Sequence, residues 1–312
     1  MRRIVMPALT LDLAPEFAGL AADDAEDALV ECSRHEGCRL EVAYEHQRRR
    51  TRIRASRRLS ASAMTATRAN LASPPANPPT ELPALVRRLF DADVAVAEVD
   101  PREVDPEHVL LPVERDAVAR AIDTRRLQYA AGRHCARSAM RTLAVPPGPV
   151  TQDDDRAPRF PPGLVGTITH TQWWCAAAVA LESTRAALGV DVEPDSPLKA
   201  SLFGSVLTPD EITRLEAVPD DALRGLLGKL IFSAKECAYK CQYTLSRTFY
   251  GFHGMRVELP SLPATGGLPP EGEFAAIFLR DAGPFRTGDA LHGRYVRAHG
   301  YLMTGVELRH GR

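Results

Sequence analysis

The chain has 312 residues, 45% hydrophobic and 25% charged, the composition of a folded protein with one large domain or two ordinary ones. Its 39 Lys and Arg nearly balance 40 Asp and Glu, and the net charge of -1 argues against a dedicated nucleic-acid binder. No apolar run approaches the roughly 18 residues that a membrane span needs, and six cysteines are too few for a disulfide scaffold, so a reduced, cytoplasmic protein is expected.

Residues 1–79 differ from the rest. Asp23 to Glu31 is acidic, Arg48 to Arg58 holds seven arginines, and Ser60 to Thr80 is rich in Ser, Ala and Pro. That composition predicts a disordered leader and linker, and Met64 is a candidate natural start. Cys32, His35 and Cys38 offer only three ligands at a poor zinc spacing.

Order is expected from about residue 80. Val94 to Val99 alternates as a strand does. A helical pattern runs from about Asp116 to Leu143 and is closed by Pro146-Pro147-Gly148. Arg126, Arg133 and Arg137 fall on one stripe of it, since separations of seven and four return to the same face. Such a stripe is either a solvated face or an anion site. Val165 to His170 and Ala176 to Leu181 then read as a hairpin with Trp173 and Trp174 at its turn.

In Gly189-Val190-Asp191-Val192-Glu193-Pro194 the valines alternate with the two carboxylates, so a strand here points Asp191 and Glu193 to one side. Two hard oxygen donors on a rigid strand suit Mg²⁺; the bland alternative is a solvated acidic edge. Thr208-Pro209-Asp210-Glu211 is a capping box. A long amphipathic helix follows over about 222–243, carrying Phe232-Ser233-Ala234-Lys235-Glu236-Cys237-Ala238-Tyr239-Lys240. Glu236, Tyr239 and Lys240 share a face. Lys occurs only at 199, 229, 235 and 240, so two in six residues stand out in a chain that otherwise writes positive charge as Arg. The remaining chain reads as strands around a Pro/Gly loop at 260–272, ending in a hairpin.

Asp191, Glu193 and Glu236 together are enough for one octahedral metal, and His170, Lys235, Lys240 and the arginine helix surround them with cations. That combination suits a polyphosphate ester, with a carboxylate to take the proton of an attacking hydroxyl. Neither a Gly-x-x-x-x-Gly-Lys loop nor a Gly-x-Gly-x-x-Gly turn follows a strand.

The segments 189–194 and 232–240, with Arg125-Arg126-x-x-Tyr129-x-x-Gly132-Arg133-His134-Cys135-Ala136-Arg137 and Gly166-x-Ile168-Thr169-His170, resemble the ordered motifs of the 4′-phosphopantetheinyl transferase superfamily. The likeness covers about 85–308 and is strongest to the branch of the enterobactin-synthetase component and the actinobacterial enzymes. It implies an α/β (α+β) fold of two similar lobes related by a pseudo-twofold, each a small mainly antiparallel sheet on a long helix. The lobes would span 80–184 and 185–312, with coenzyme A between them. The implied reaction moves the phosphopantetheine arm of coenzyme A to a serine of an acyl or peptidyl carrier protein, from a polyketide, fatty-acid, nonribosomal peptide or siderophore synthase. Adenosine 3′,5′-bisphosphate is released. The resemblance assigns Mg²⁺ (or Mn²⁺) to Asp191, Glu193 and Glu236, makes Glu236 the base, and sets Lys235 and Lys240 against the phosphates. Arg126, Arg133, Arg137, Thr169 and His170 would bind coenzyme A. Cys237 stands where the family has alanine and Gln128 where it has Glu, and Arg156-Ala157-Pro158-Arg159-Phe160-Pro161 only loosely follows the family's turn. The duplicated fold predicts a monomer. A metal-dependent phosphoesterase and a non-catalytic coenzyme A or carrier-binding module are the alternatives.

Overall fold

The structure, a computed structural model, describes residues 84–260 and 267–311 in full and, before them, the backbone of three strands. These are β1 (Thr10–Leu13), β2 (Cys38–Glu45) and β3 (Arg50–Arg57). They form a sheet of order β1-β3-β2 within a unit spanning Met1–Ala72. Composition alone assigned this stretch no strands, yet Thr51, Ile53 and Ala55 alternate with the arginines in a period of two. The rest of the expected leader, Met64 included, lies outside the described residues.

The second unit, Ser73–Arg312, holds everything else. After a 3₁₀ turn at Val86–Leu89 come β4 (Ala95–Val99) and then the long helix α1 (Asp123–Thr142). Helix α1 starts later than its periodicity suggests, because Asp116–Val118 forms a separate 3₁₀ turn and Ile122 is extended. It ends at Leu143, with Ala144 left-handed before the two prolines. Short β5 (Thr151–Gln152) and β6 (Pro158–Arg159) precede the expected hairpin of β7 (Leu164–His170) and β8 (Cys175–Leu181). With β4 they make an antiparallel sheet of order β4-β8-β7.

The second lobe begins with β9 (Ala187–Pro194). Helix α2 (Pro209–Glu216) carries the predicted capping box: Glu211 accepts from the Thr208 N–H, and the Thr208 hydroxyl accepts from the Glu211 N–H. Helix α3 (Asp221–Ser246) follows, N-capped by Asp220. Strands β10 (Met255–Glu258), β11 (Glu271–Phe278), β12 (Ala290–Ala298) and β13 (Tyr301–Leu308) complete an antiparallel sheet of order β10-β11-β12-β13-β9.

Two sheet-plus-helix lobes result, consistent with the α/β class. Alternation along β8 explains their assembly. Cys175, Ala177 and Val179 face Cys135, Ala136, Ala139 and Met140 of α1. Ala176, Ala178 and Ala180 face the other way, into a layer shared with Leu188, Val190 and Val192 of β9. The far side of the five-stranded sheet covers α3 through Leu223, Leu227, Leu230 and Phe274. The order is therefore helix, sheet, sheet, helix. At the connection between lobes, fully buried Arg185 donates to Asp93 at 2.8 Å and to Glu307 at 3.1 Å.

Candidate active site

The carboxylates of β9 meet α3 where the two backbones run close together. Gly189 permits the approach: a Cβ there would overlap the carbonyl oxygen of Cys237 and lie 3.1 Å from Cys241 Cβ. As alternation predicts, Val190 and Val192 enter the shared layer while Asp191 and Glu193 turn toward the helix. Lys229, Ser233, Glu236 and Lys240 are spaced by four, three and four residues, which places them on one face of α3.

Asp191 is almost fully buried and each of its oxygens is engaged. Oδ1 accepts from Lys240 Nζ at 2.8 Å and from the Thr169 hydroxyl at 3.4 Å, and Oδ2 accepts from the Ser233 hydroxyl at 2.8 Å. Thr304, opposite Asp191 on β13, shares a hydrogen bond with that serine at 2.9 Å. Thr169 also accepts from the Val192 N–H at 3.3 Å, which ties the end of β7 to β9. Glu193 accepts from Lys229 Nζ at 2.9 Å.

Glu236 is three residues from Ser233 and four from Lys240 on this face of α3, and its charge acts on Lys240. Burial opposes the charge of Lys240, but Asp191 and Glu236 together hold its pKa above the ordinary lysine value. Burial lifts Glu193 above the usual carboxylate range; Lys229 opposes this, and the charge of Asp191 adds to it. One ammonium thus stands among hard oxygen donors. Among the described residues no three His, Cys, Asp or Glu side chains are gathered in metal-holding geometry, because Asp191 and Glu193 each face a lysine instead. The donor chemistry nevertheless fits a hard divalent cation, since Asp191 and Glu193 are hard oxygen donors that each already meet a positive charge.

His170 lies at the end of β7 beside this group and accepts from Arg125 at 2.9 Å through Nε2, which leaves its hydrogen on Nδ1. Burial, then Arg125, Lys240 and Arg133, depress its pKa to about 3. The ring is neutral in a field of cations, a field that suits an arriving polyanion.

Other predicted residues have different surroundings. Lys235 is buried on the opposite side of α3, donating to Glu211 at 2.6 Å and to the Val206 carbonyl at 2.9 Å. The helical turn of about 100° per residue carries it off the face of Glu236, and the carboxylate of the α2 cap is the acid it meets. Burial lowers its pKa while Glu211 opposes the shift. The arginine stripe does share a face of α1, but that face is turned toward the chain itself. Arg137 pairs with fully buried Glu114 at 2.8 Å. Arg126 pairs with Glu107 at 2.6 Å. Arg133 donates to the Val150 carbonyl at 3.0 Å and covers the Tyr129 ring, and burial lowers its pKa to about 10. The arginine that reaches His170 is Arg125, off the stripe.

Comparison with known proteins gives the family. A model of the 4′-phosphopantetheinyl transferase N-terminal domain matches residues 113–180, and one of the 4′-phosphopantetheinyl transferase superfamily matches 187–276. The chain is 34% identical over 207 residues to the 4′-phosphopantetheinyl transferase Svp of Streptomyces mobaraensis, covering 65% of this chain and 80% of that protein. This chain belongs to the 4′-phosphopantetheinyl transferase superfamily. The transferase is also 31% identical to PptT of Mycobacterium tuberculosis (69% of this chain, 92% of that protein). With Npt of Nocardia iowensis the identity is 32% (62% and 87%). Membership carries the general reaction, transfer of phosphopantetheine from coenzyme A.

Proposed function

We propose that this transferase moves the phosphopantetheine arm of coenzyme A to a serine of an acyl or peptidyl carrier protein, with Mg²⁺ dependence. The observation that carries the reading is the pairing of β9 carboxylates with α3 lysines, Asp191 with Lys240 at 2.8 Å and Glu193 with Lys229 at 2.9 Å, on the helix face that also carries Glu236. Asp191, Glu193 and Glu236 are the residues that would hold Mg²⁺. When bound, the ion would neutralise and polarise the pyrophosphate.

The chain's own groups account for the rest. Arg125 and the Nδ1–H of His170 receive phosphate oxygens of coenzyme A. Lys240 and Lys229, drawn from carboxylates to the incoming pyrophosphate, offset its charge as the bond to the leaving oxygen lengthens. Glu236 takes the proton of the carrier serine, directly or through water. The serine oxygen bonds to the phosphorus that carries pantetheine, and the bridging bond breaks. Its electron pair leaves on adenosine 3′,5′-bisphosphate. Ser233, Thr169 and Thr304 hold Asp191 in place. Lys235 positions the helix through Glu211.

Mass spectrometry of apo-carrier domains incubated with coenzyme A and Mg²⁺ tests this reading. Phosphopantetheine attached to carrier serine is the expected result. Free phosphopantetheine with unmodified carrier would instead identify a phosphoesterase.

A further inference from the structure

A second cationic cleft lies away from the carboxylates. His134, Arg137 and Arg141 occupy one face of the last turns of α1, and His108 approaches from the helical turn at Pro106–Val109. With Val109, Leu111 and Pro147 they line a cleft of about 360 Å³. Arg141 lies sixteen residues beyond Arg125, about 24 Å along the helix at 1.5 Å per residue. The cleft is therefore separate from the His170 site.

Its charge is one-sided. Among the described residues no carboxylate lines it. Glu114 neutralises Arg137 from behind, and Asp105 engages His108 only through Nδ1, at 2.6 Å. Arg141 has the Ser138 hydroxyl at 3.5 Å and no acid partner among the described residues. The neighbouring cleft, of about 220 Å³, sets Arg115 and Arg126 beside Glu107 and Asp116 and so is balanced. A helix C-terminus would ordinarily repel an anion. Here the carbonyls of Ala139, Met140 and Arg141 already accept from the N–H groups of Leu143, Val145 and Ala144. Burial, then Arg141 and Arg137, push His134 below its ordinary value.

The geometry points to this cleft as a binding site for a phosphomonoester, its phosphate against Arg141, His134 and His108 and its organic part on Val109, Leu111 and Pro147. The inference is independent of the transferase reading. Calorimetric titration of the full chain with phenyl phosphate tests it, with inorganic phosphate for comparison. Phenyl phosphate should bind more tightly than inorganic phosphate, and equally well to the Arg125→Gln variant. Arg141→Gln and His134→Gln should each weaken it about tenfold, the loss of one charge-assisted contact, at unchanged transfer activity. No binding to the unaltered chain overturns the proposal. So does binding lost in Arg125→Gln but kept in Arg141→Gln, or equal affinity in all variants.

Discussion

Replacing Gly189 by Ala adds one methyl group and changes no functional side chain chemically. The new Cβ would overlap the Cys237 carbonyl oxygen, 3.0 Å from its carbon and 3.1 Å from Cys241 Cβ. The first obstacle is that backbone oxygen, so no rotamer change relieves it; strand and helix must part by roughly 1 Å or more to relieve the overlap. Overpacking of this kind costs about 1–3 kcal/mol, which in a unit of this size lowers Tm by roughly 2–12 °C. The same displacement separates Asp191 and Glu193 from Glu236 and Lys240, and a misplacement near 1 Å costs on the order of 10²-fold in rate. Thermal unfolding and kcat/KM for phosphopantetheine transfer read the two effects. A variant that melts with the unaltered protein and transfers at its rate would refute the close-approach argument.

Asp191→Asn should lower kcat/KM by about 10²-fold or more and weaken Mg²⁺ activation; an unchanged Mg²⁺ titration would remove Asp191 from the proposed ligands. Lys235→Met breaks a pair whose side chains are 2% and 0% exposed, so urea unfolding should show a loss of about 3–5 kcal/mol. If activity fell at unchanged stability, Lys235 would instead belong with the phosphate-binding groups. His170 titrates near 3 in the fold, below its ordinary 6.5, so the unfolded chain takes up the proton first. Its contribution to stability is complete above pH about 6.5 and declines as pH falls toward 3. Denaturation between pH 5 and 7 should be less steep in pH for His170→Gln, and identical slopes would count against a neutral ring. Coenzyme A should raise the imidazole titration seen by NMR, since its phosphates oppose the surrounding cations.

The elements that build the site were legible wherever local pattern dominates. Period-two alternation put Asp191 and Glu193 on one side of a strand, Thr208 and Glu211 announced the α2 cap, and the small residues of β7 and β8 marked a hairpin. Direction across the fold was not. A helical stripe tells which arginines are neighbours but not what they face, and the 106–115 segment that receives Arg126 and Arg137 is too short to read by periodicity. The same limit hid the partner of Lys235, since the sequence marks Glu211 only as a cap. Lys229 and Ser233 went unassigned although they share the face of Glu236 and Lys240; extending that spacing two turns backward would have found them. The pairing of β9 with β13, which puts Thr304 opposite Asp191, depends on long-range contacts that no local pattern carries.

The alanines of β8 and the aliphatic side chains of β9 form one continuous apolar sheet-to-sheet contact, clamped at its edge by Arg185. Prising the halves apart would wet that whole contact and strand a buried guanidinium. On the proposed reading, coenzyme A would then meet a fixed jaw, and admission would fall to long side chains such as Lys229 and Lys240 leaving their carboxylates while the backbone stays still.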